Sequence, residues 1–566
     1  MAKKSNVPVF KAYTMGQIVL LPRDLEEEID PNHLVRVINA AVEKMDLRQL
    51  YRQYAGGGTS SYHPKMLLKI IIFAYCQQIF SSRKIAKALR ENIYFMWLSG
   101  YSQPDFHTVN RFRGVVLKET IAEIFTAVLL LLNEGGYLKL ENYFVDGTKI
   151  EANANKYSFV WAKNTQRYKA QVQAKVGALL EEVEQLNAAE DAELGERDLP
   201  ERGGAKPLDA AQLEAKIQEL NERLRQMSAE EAAQPPEPAQ PPTSDAPPAE
   251  AGPAPVSADA PEEAAIPEPK RKKHKSKVQQ LKQAIRQLSE DYLPRLQQYE
   301  DQQETLDGRN SYSKTDTDAT FMRMKEDHMG NGQLKAAYNV QIGTEDQFVL
   351  GYTIHQNPGD PGCLIPHLKQ TKQQLGRLPD NIVADSAYGS EENYAYLEQE
   401  QLGNYLKYNT FYQEHRPHFK PKAFDANFWP YDADHDTFTC PHEQPLHFVT
   451  IRKEHTQNGF ETERRVYECA DCSQCPLKAQ CTQAEGNRQI RISFRLRAFR
   501  AQANQNLCSE KGKLLRKQRS TDVETVFGRI KQDWGFRRFL LRGLEKVKTE
   551  WGLLCIAHNF TKMAIA

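Results

Sequence analysis

Three acidic side chains occupy positions where their chemistry stands out from their surroundings. Asp146 sits in the middle of ENYFVDGTKIEA, a short, β-branched and aromatic run that reads as a buried strand. An ionised carboxylate there costs several kcal/mol unless it is paired or bound to metal. Asp385 ends the apolar run Ile382-Val383-Ala384 and is followed by Ser386-Ala387-Tyr388-Gly389. Glu524 lies beside a helical stripe of Val523, Phe527 and Ile530, with Lys531 two turns later on nearly the same face. Three carboxylates without soft ligands suit Mg²⁺ or Mn²⁺, and two such ions can stabilise both oxygens of an in-line phosphoryl displacement. The competing reading is local: strand-end aspartates cap turns and helix glutamates are solvated. Asp316 and Asp318 are reserve acids whose nearer explanation is turn capping.

A second cluster is made of thiols. Cys469, Cys472, Cys475 and Cys481, with Cys440 and His442 upstream, have zinc-ribbon-like spacing. The ligand set read from this spacing is Cys440, Cys472, Cys475 and Cys481, a structural Zn²⁺ site, with Cys469 and His442 as spares. The alternative is a set of reduced, unligated thiols in a small β insertion. Cys76, Cys363, Cys508 and Cys555 read as core residues or isolated thiols.

The elements that must position these groups follow from hydrophobic period. Residues 1–140 read as helices: Leu34 to Leu47, Met66 to Ile79, Arg83 to Leu98 behind a serine cap, and Thr108 to Leu132 after Pro104-Asp105. Residues 157–310 interrupt the pattern with polar helices at Asn164–Leu194, Leu213–Met227 and Val278–Leu306. This reads as an antiparallel helical hairpin whose tip, 235–269, holds twelve prolines and is expected to be a disordered linker. After residue 311 come strands at Ala336–Ile342, Phe348–Ile354, Asn381–Asp385 and Asn404–Tyr408. Helices are expected at Pro361–Leu375 and Glu391–Gln401. A Cys-rich β segment over 411–497 follows, then a basic helical close over 498–566, with its helices read from 520 to 565. Strand 141–156, segment 311–410 and the close over 498–566 then form one catalytic core in which the first and fourth strands are neighbours, bringing Asp146 and Asp385 together. The fold class is α/β, with the strand order of a ribonuclease-H-like domain, an all-α N-terminal domain, a helical-hairpin insertion and a small Cys-rich β insertion.

The chain has 566 residues, and its 74 basic and 74 acidic side chains balance, so net charge identifies no partner. The charge is unevenly placed. From Arg488 to Lys548 there are seventeen Lys or Arg against five Asp or Glu. Arg537, Arg538 and Arg542 alternate with Trp534, Phe536 and Phe539, which suits phosphate contact with aromatics wedging or stacking on bases. The bland alternative is an amphipathic segment with core aromatics and solvated arginines. Residues 83–98 and 108–113 could make a helix-turn-helix presenting His107, Thr108, Asn110, Arg111 and Arg113 to a DNA groove. The basic run Lys270–Lys277 reads as a solvated flank. The longest apolar run, Ile124–Leu132, is too short to span a bilayer, and the opening MAKKSNVPVF has no signal-type apolar stretch. A cytoplasmic, nucleoid-associated protein without membrane attachment is expected.

Several blocks in fixed order resemble the DDE transposases of bacterial insertion sequences, in the insertion-sequence four/five superfamily and its eleven-eighty-two branch. They include SYHPKMLLKIIIFAY, QPDFHTVNRFR, FVDGTKIEANANKYSFVW, ADSAYGSEENY and GFRRFLLRGLEKVKTEWGLLCIAHN. The resemblance implies a triad of Asp146, Asp385 and Glu524, two Mg²⁺ or Mn²⁺ ions, double-stranded element ends and target DNA as partners, and a homodimer in the DNA complex. Lys531 would steady a phosphate, and Arg519 would join the DNA contacts. One departure stands out: the superfamily carries Tyr-x2-Arg-x3-Glu-x6-Lys, whereas Lys517 and Ser520 hold the Tyr and Arg positions here and Arg519 comes one residue early. A hairpin-forming step relying on those two side chains is therefore not implied. Two rivals to a cutting-and-joining transposase remain: a nuclease that cuts without joining, and an inactive DNA-binding relic.

Overall fold

The computed structural model describes residues 24–54, 61–191, 208–233, 276–324, 332–456 and 458–565. The linker 235–269 and most of the Lys270–Lys277 run lie outside them. The chain divides into two compact units, one of residues 1–159 and 312–566 and one of residues 160–311.

The first unit opens with helices built on apolar stripes. Helix α1 (Pro64–Cys76) has Pro at its first position and is buried along almost all of its length. The single helix expected over Arg83–Leu98 is instead two, α2 (Ser82–Glu91) and a separate turn at Ile93–Ser99. Asn92 causes the break: its side chain accepts from the Tyr94 N–H and starts the second piece as its cap. Helix α3 (Phe106–Arg111) is capped by Asp105, and a π-helical turn leads on to α4 (Leu117–Glu134).

The central sheet follows. Strand β1 (Asn142–Glu151) is its middle strand, which is why nearly every residue in it is buried whichever face it points to. Its order is β2 (Thr320–Arg323), β3 (Leu334–Glu345), β1, β5 (Asn381–Ala384), β6 (Gly403–Leu406), with β4 (Phe348–His355) sharing the outer edge of β3. Strands β1 and β3 are antiparallel, whereas β1, β5 and β6 are parallel. The short β2 was not read from sequence.

Helices cover both faces. On one, α5 (Leu364–Leu375) is fixed by Tyr143, whose hydroxyl meets His367 Nε2 at 2.8 Å and Thr371 Oγ1 at 3.0 Å. The Tyr143 ring reaches α5 only because Gly343 and Gly351 face each other on β3 and β4, where any Cβ would overlap it. On the other lies α6 (Glu510–Gly528), held by buried Asp522, which accepts from Thr344 Oγ1 at 2.5 Å and Gln347 N at 3.0 Å. Helix α7 (Leu544–Met563) covers the β4 edge, and its Asn559 amide bonds the Val349 N–H and carbonyl, each at 2.8 Å. Cys76 Sγ of α1 also reaches the Ala557 carbonyl of α7. Residues 24–140 are thus packed into the same unit as the sheet and do not form a body of their own.

The helices of the basic close begin earlier than residue 520. Phe494–Cys508 and α6 run almost continuously, separated at Ser509, which ends one and caps the next. Residues 426–492 add a separate antiparallel sheet of five strands, β7 (Tyr431–Asp432), β8 (Thr437–Thr439), β9 (Pro445–His455), β10 (Glu461–Cys469) and β11 (Gln489–Ile492), around Trp429, Phe438, Leu446 and Tyr467.

The second unit is more than a hairpin. Helices Ala162–Asp191 and Ala210–Ala233, and a third that runs from Lys277 to Leu306 through a π-helical turn, share one apolar core. Val176, Leu213 and Leu288 are each essentially inaccessible there.

Candidate active site

Two acids meet because of strand register. The parallel pairing of β1 and β5 runs from Asn142 opposite Asn381 to Val145 opposite Ala384. The next residue on each strand is Asp146 and Asp385. Asp146 continues within β1, paired on its other side with Ile342, and is buried. Asp385 leaves the sheet, and its Oδ1 caps the following turn by accepting from Ala387 N at 2.9 Å. Its side chain stays partly open to solvent.

The third acid arrives from α6. Asp522 ties that helix to the sheet, and burial pushes its carboxyl up against the Thr344 and Gln347 donors that favour the charge. With the helix fixed, Glu524 projects towards the strand ends, and Arg519, one and a half turns earlier, enters between the acids. Arg519 is 7% exposed. Its Nη2 lies 3.2 Å from Asp146 Oδ1 and 3.8 Å from Asp385 Oδ2, and its Nη1 donates to Glu524 Oε1 at 3.0 Å. One guanidinium therefore touches all three carboxylates, which marks the point on which they converge. The donors are oxygen only, from the interior of β1, the residue after β5 and an anchored helix, and this set fits hard divalent cations. Among the described residues no three His, Cys, Asp or Glu side chains are drawn close enough to hold a metal ion as they stand.

Around this point the other groups are ordered. Lys531 Nζ donates to Thr148 Oγ1 at 3.2 Å, two residues along β1 and on the same face as Asp146. On the opposite face Gly147 leaves space that the Gln341 amide fills. Gln341 donates to Asp360 Oδ1 at 3.1 Å and to Asn339 Oδ1 at 3.0 Å, and it accepts from the Tyr388 hydroxyl. Burial holds the Tyr388 phenol well above its usual range, and Asp360, Asp146 and Asp385 add to the effect. The reserve acids do something else. Asp316 accepts from Tyr338 Oη and Gly543 N, and Asp318 accepts from Leu544 N, so both fasten the start of α7.

Several expected DNA contacts need correction. Arg113 is 3% exposed and donates inward to the Tyr75 hydroxyl, the Phe80 carbonyl and Ser82 Oγ, so it braces α1 and α2 and cannot reach a groove. Arg519 faces acids, not solvent. Trp534, Phe536 and Phe539 are buried, with Phe536 and Phe539 packed on Trp551, so they are core residues and not base wedges. His107, Asn110 and Arg111 do stand exposed on α3, with Thr108 half-buried. Arg537, Arg538 and Arg542 are exposed too, each bonding a backbone carbonyl: Arg537 that of Lys531, Arg538 those of Ala152 and Ala154, and Arg542 that of Asn153. The Arg537–Phe539 backbone also bonds Glu151, which lays this basic stretch across the end of β1.

The cysteines gather at one end of the five-stranded sheet. Cys469 and Cys472 are in its core, with Cys440 and Cys481 packed against it. Cys440 Sγ accepts from Gln444 N and Cys472 Sγ from Arg488 N, both at 3.4 Å. Burial and the neighbouring Cys472 push the Cys469 thiol up to about 11.

The sequence reading missed the acid-facing role of Arg519. The only signal was its place one residue from where the superfamily pattern puts an arginine. Tyr388 and Gln341 gave no signal, because their roles depend on strand pairing.

Comparison with known families is informative at both ends of the chain. Residues 439–564 match the family described as Transposase DDE domain, and residues 23–114 match the Transposase domain (DUF772). The two matches support a DDE transposase family. The first includes Glu524, Arg519 and Lys531 but neither aspartate. No curated protein and no solved structure gave a match. No helix among the described residues is long and apolar enough to cross a membrane.

Proposed function

We propose that this chain is a DNA transposase of the insertion-sequence type, in the four/five superfamily and its eleven-eighty-two branch. It binds the double-stranded ends of an element, cleaves there and joins the exposed 3′-hydroxyl to target DNA. The observation that carries the reading is the convergence of Asp146, Asp385 and Glu524 on one guanidinium. The sheet supports a ribonuclease-H-like reading: β1 to β4 pair antiparallel and β5 and β6 run parallel to β1, with Asp146 inside β1 and Asp385 directly after its neighbour β5.

In this reading Asp146, Asp385 and Glu524 would together hold the divalent ions. When bound, two Mg²⁺ or Mn²⁺ ions lower the cost of negative charge on the attacking and leaving oxygens of an in-line displacement. Lys531, held on the Asp146 face of β1 by Thr148, steadies a phosphate. The Gln341, Asp360 and Tyr388 layer backs Asp146 and keeps its strand from shifting. His107, Thr108, Asn110 and Arg111 on α3 and Arg537, Arg538 and Arg542 at the end of β1 supply phosphate and groove contacts. Two protomers assemble on the paired ends, in the cytoplasm with the nucleoid. The Cys440, Cys472, Cys475 and Cys481 set holds a structural Zn²⁺, a role supported by the backbone N–H groups that donate to the Cys440 and Cys472 sulfurs.

The test is strand transfer. Purified protein, DNA carrying the inverted repeats that flank its gene, and a supercoiled target are incubated with Mg²⁺. Joined product is expected. Cleavage without joining would replace this reading with that of a nuclease, and binding without cleavage would leave the relic.

A further inference from the structure

The place of Arg519 has a consequence beyond that reading, although it rests on it. Among the described residues, every polar contact of its guanidinium is to one of the three acids, through Nη1 and Nη2. Its Nε is buried and has no hydrogen-bond partner among the described residues. Among the described residues nothing else anchors the charged end of this side chain. Arg113, whose Nε is likewise buried without a partner among the described residues, is instead tied through its terminal nitrogens to a backbone carbonyl, two hydroxyls and the Asn110 amide oxygen. Without a cation, Asp146, Asp385 and Glu524, each within 3.8 Å of one guanidinium, would repel one another, with Asp146 in a poorly solvated position. Arg519 offsets part of that repulsion with one positive charge set at their meeting point. A divalent ion requires the same oxygens and the same space.

We propose that Arg519 is a built-in counter-cation. It holds the three acids in place before metal enters, and divalent ions must displace it to load the site. Metal binding is then a competition in which each acid exchanges a guanidinium N–H for an ion. The side chain is free to withdraw because α6 is anchored separately, through Asp522 on Thr344 and Gln347. Arg519 is thus a positioning residue: it preserves the geometry of the empty site at the cost of apparent metal affinity.

The measurement is Mn²⁺ binding to full-length, EDTA-treated protein by calorimetry, together with thermal melts in EDTA and in Mn²⁺. It covers wild type, Arg519→Gln, Arg519→Lys and Asp146→Asn. Neighbouring opposite charges shift proton affinity at such sites by about one to three pK units, so removing Arg519 should tighten Mn²⁺ binding about tenfold or more. Arg519→Gln should melt below wild type in EDTA, and Mn²⁺ should close the gap. Arg519→Lys, which keeps the charge but cannot fork between acids, should fall between. A Gln variant that folds only with Mn²⁺ would be the extreme form of the same result. Should the Gln variant fail to fold in either condition, the Lys variant decides: tighter binding than wild type supports the proposal, and equal or weaker binding overturns it. Equal or weaker Mn²⁺ binding by a folded Arg519→Gln, with no loss of stability in EDTA, also overturns it. The Asp146→Asn arm separates the two levels. Mn²⁺ binding that Asp146→Asn does not reduce removes the metal site itself, and this inference with it. Binding lost in Asp146→Asn but unimproved in Arg519→Gln removes only the counter-cation.

Discussion

At the scale of single residues, the acids were legible because a carboxylate inside an apolar run conflicts with its surroundings, and that conflict is visible in sequence. Their shared partner was not, since an arginine amid other basic residues conflicts with nothing until α6 is placed against the sheet. The same holds for Asp522, whose function is to fix α6. Replacing it by Ala strands the buried Thr344 hydroxyl and the Gln347 N–H. Chemical denaturation should show a loss of about 1–3 kcal/mol, as is usual for orphaned buried partners. Gly343 is a second case. A methyl group there would overlap the Tyr143 ring, which has no room to retreat between His367 and Thr371. Gly343→Ala should cost about 1–3 kcal/mol or more by overpacking, read from the shift in urea midpoint. A neutral result would mean that the ring relaxes elsewhere.

At the scale of elements, strands with apolar runs and the polar helices of residues 160–311 were readable near their observed bounds, whereas the basic helix Phe494–Cys508 was not. Phe494–Cys508 carries its buried face on Phe499, Ala503 and Leu507 alone, too sparse a stripe to stand out among arginines. Asn92 shows the opposite error: a continuous apolar period hid a cap that divides one helix into two. The five-stranded sheet tests the cysteine reading. Protein prepared under reducing conditions should carry about one zinc per chain, because a closed thiolate site binds tightly. Cys475→Ser should lose that zinc and destabilise this sheet, while Cys469→Ser, assigned no ligand bond, should keep it. Zinc lost by Cys469→Ser and retained by Cys475→Ser would reverse the ligand choice.

At the scale of the whole molecule, burial sets the response to acid. His355, His367 and His558 fall to about 4, 3 and 4 from an ordinary 6.5, burial being the main cause in each. His558 illustrates the reason: Nε2 donates to the Gln347 carbonyl, while Nδ1 is buried and has no hydrogen-bond partner among the described residues. Between about pH 6.5 and 4 the unfolded chain takes up protons on these rings that the folded chain does not, so stability falls as pH falls through that window. Buried Asp316, Asp522 and Glu550, whose carboxyls are pushed up, act in the opposite sense where they titrate. Urea midpoints measured from pH 8 to pH 4 should be flat above about 7 and then decline, and His367→Gln should reduce the slope. The two-unit division was foreshadowed by composition at residues 157–310, but the packing of three helices about one core was not, because a hairpin and a three-helix core share the same helical period.

The central claim is that Asp146, Asp385 and Glu524 act as one site although they come from distant parts of the chain. Single-turnover cleavage of end-bearing DNA in Mg²⁺ tests it, comparing Asp146→Asn, Asp385→Asn, Glu524→Gln and the triple variant. Residues acting as a unit are non-additive, so each single change should abolish cleavage about as completely as all three, with end binding retained. Wild-type cleavage by any one of the single variants, or losses that simply multiply, would contradict it.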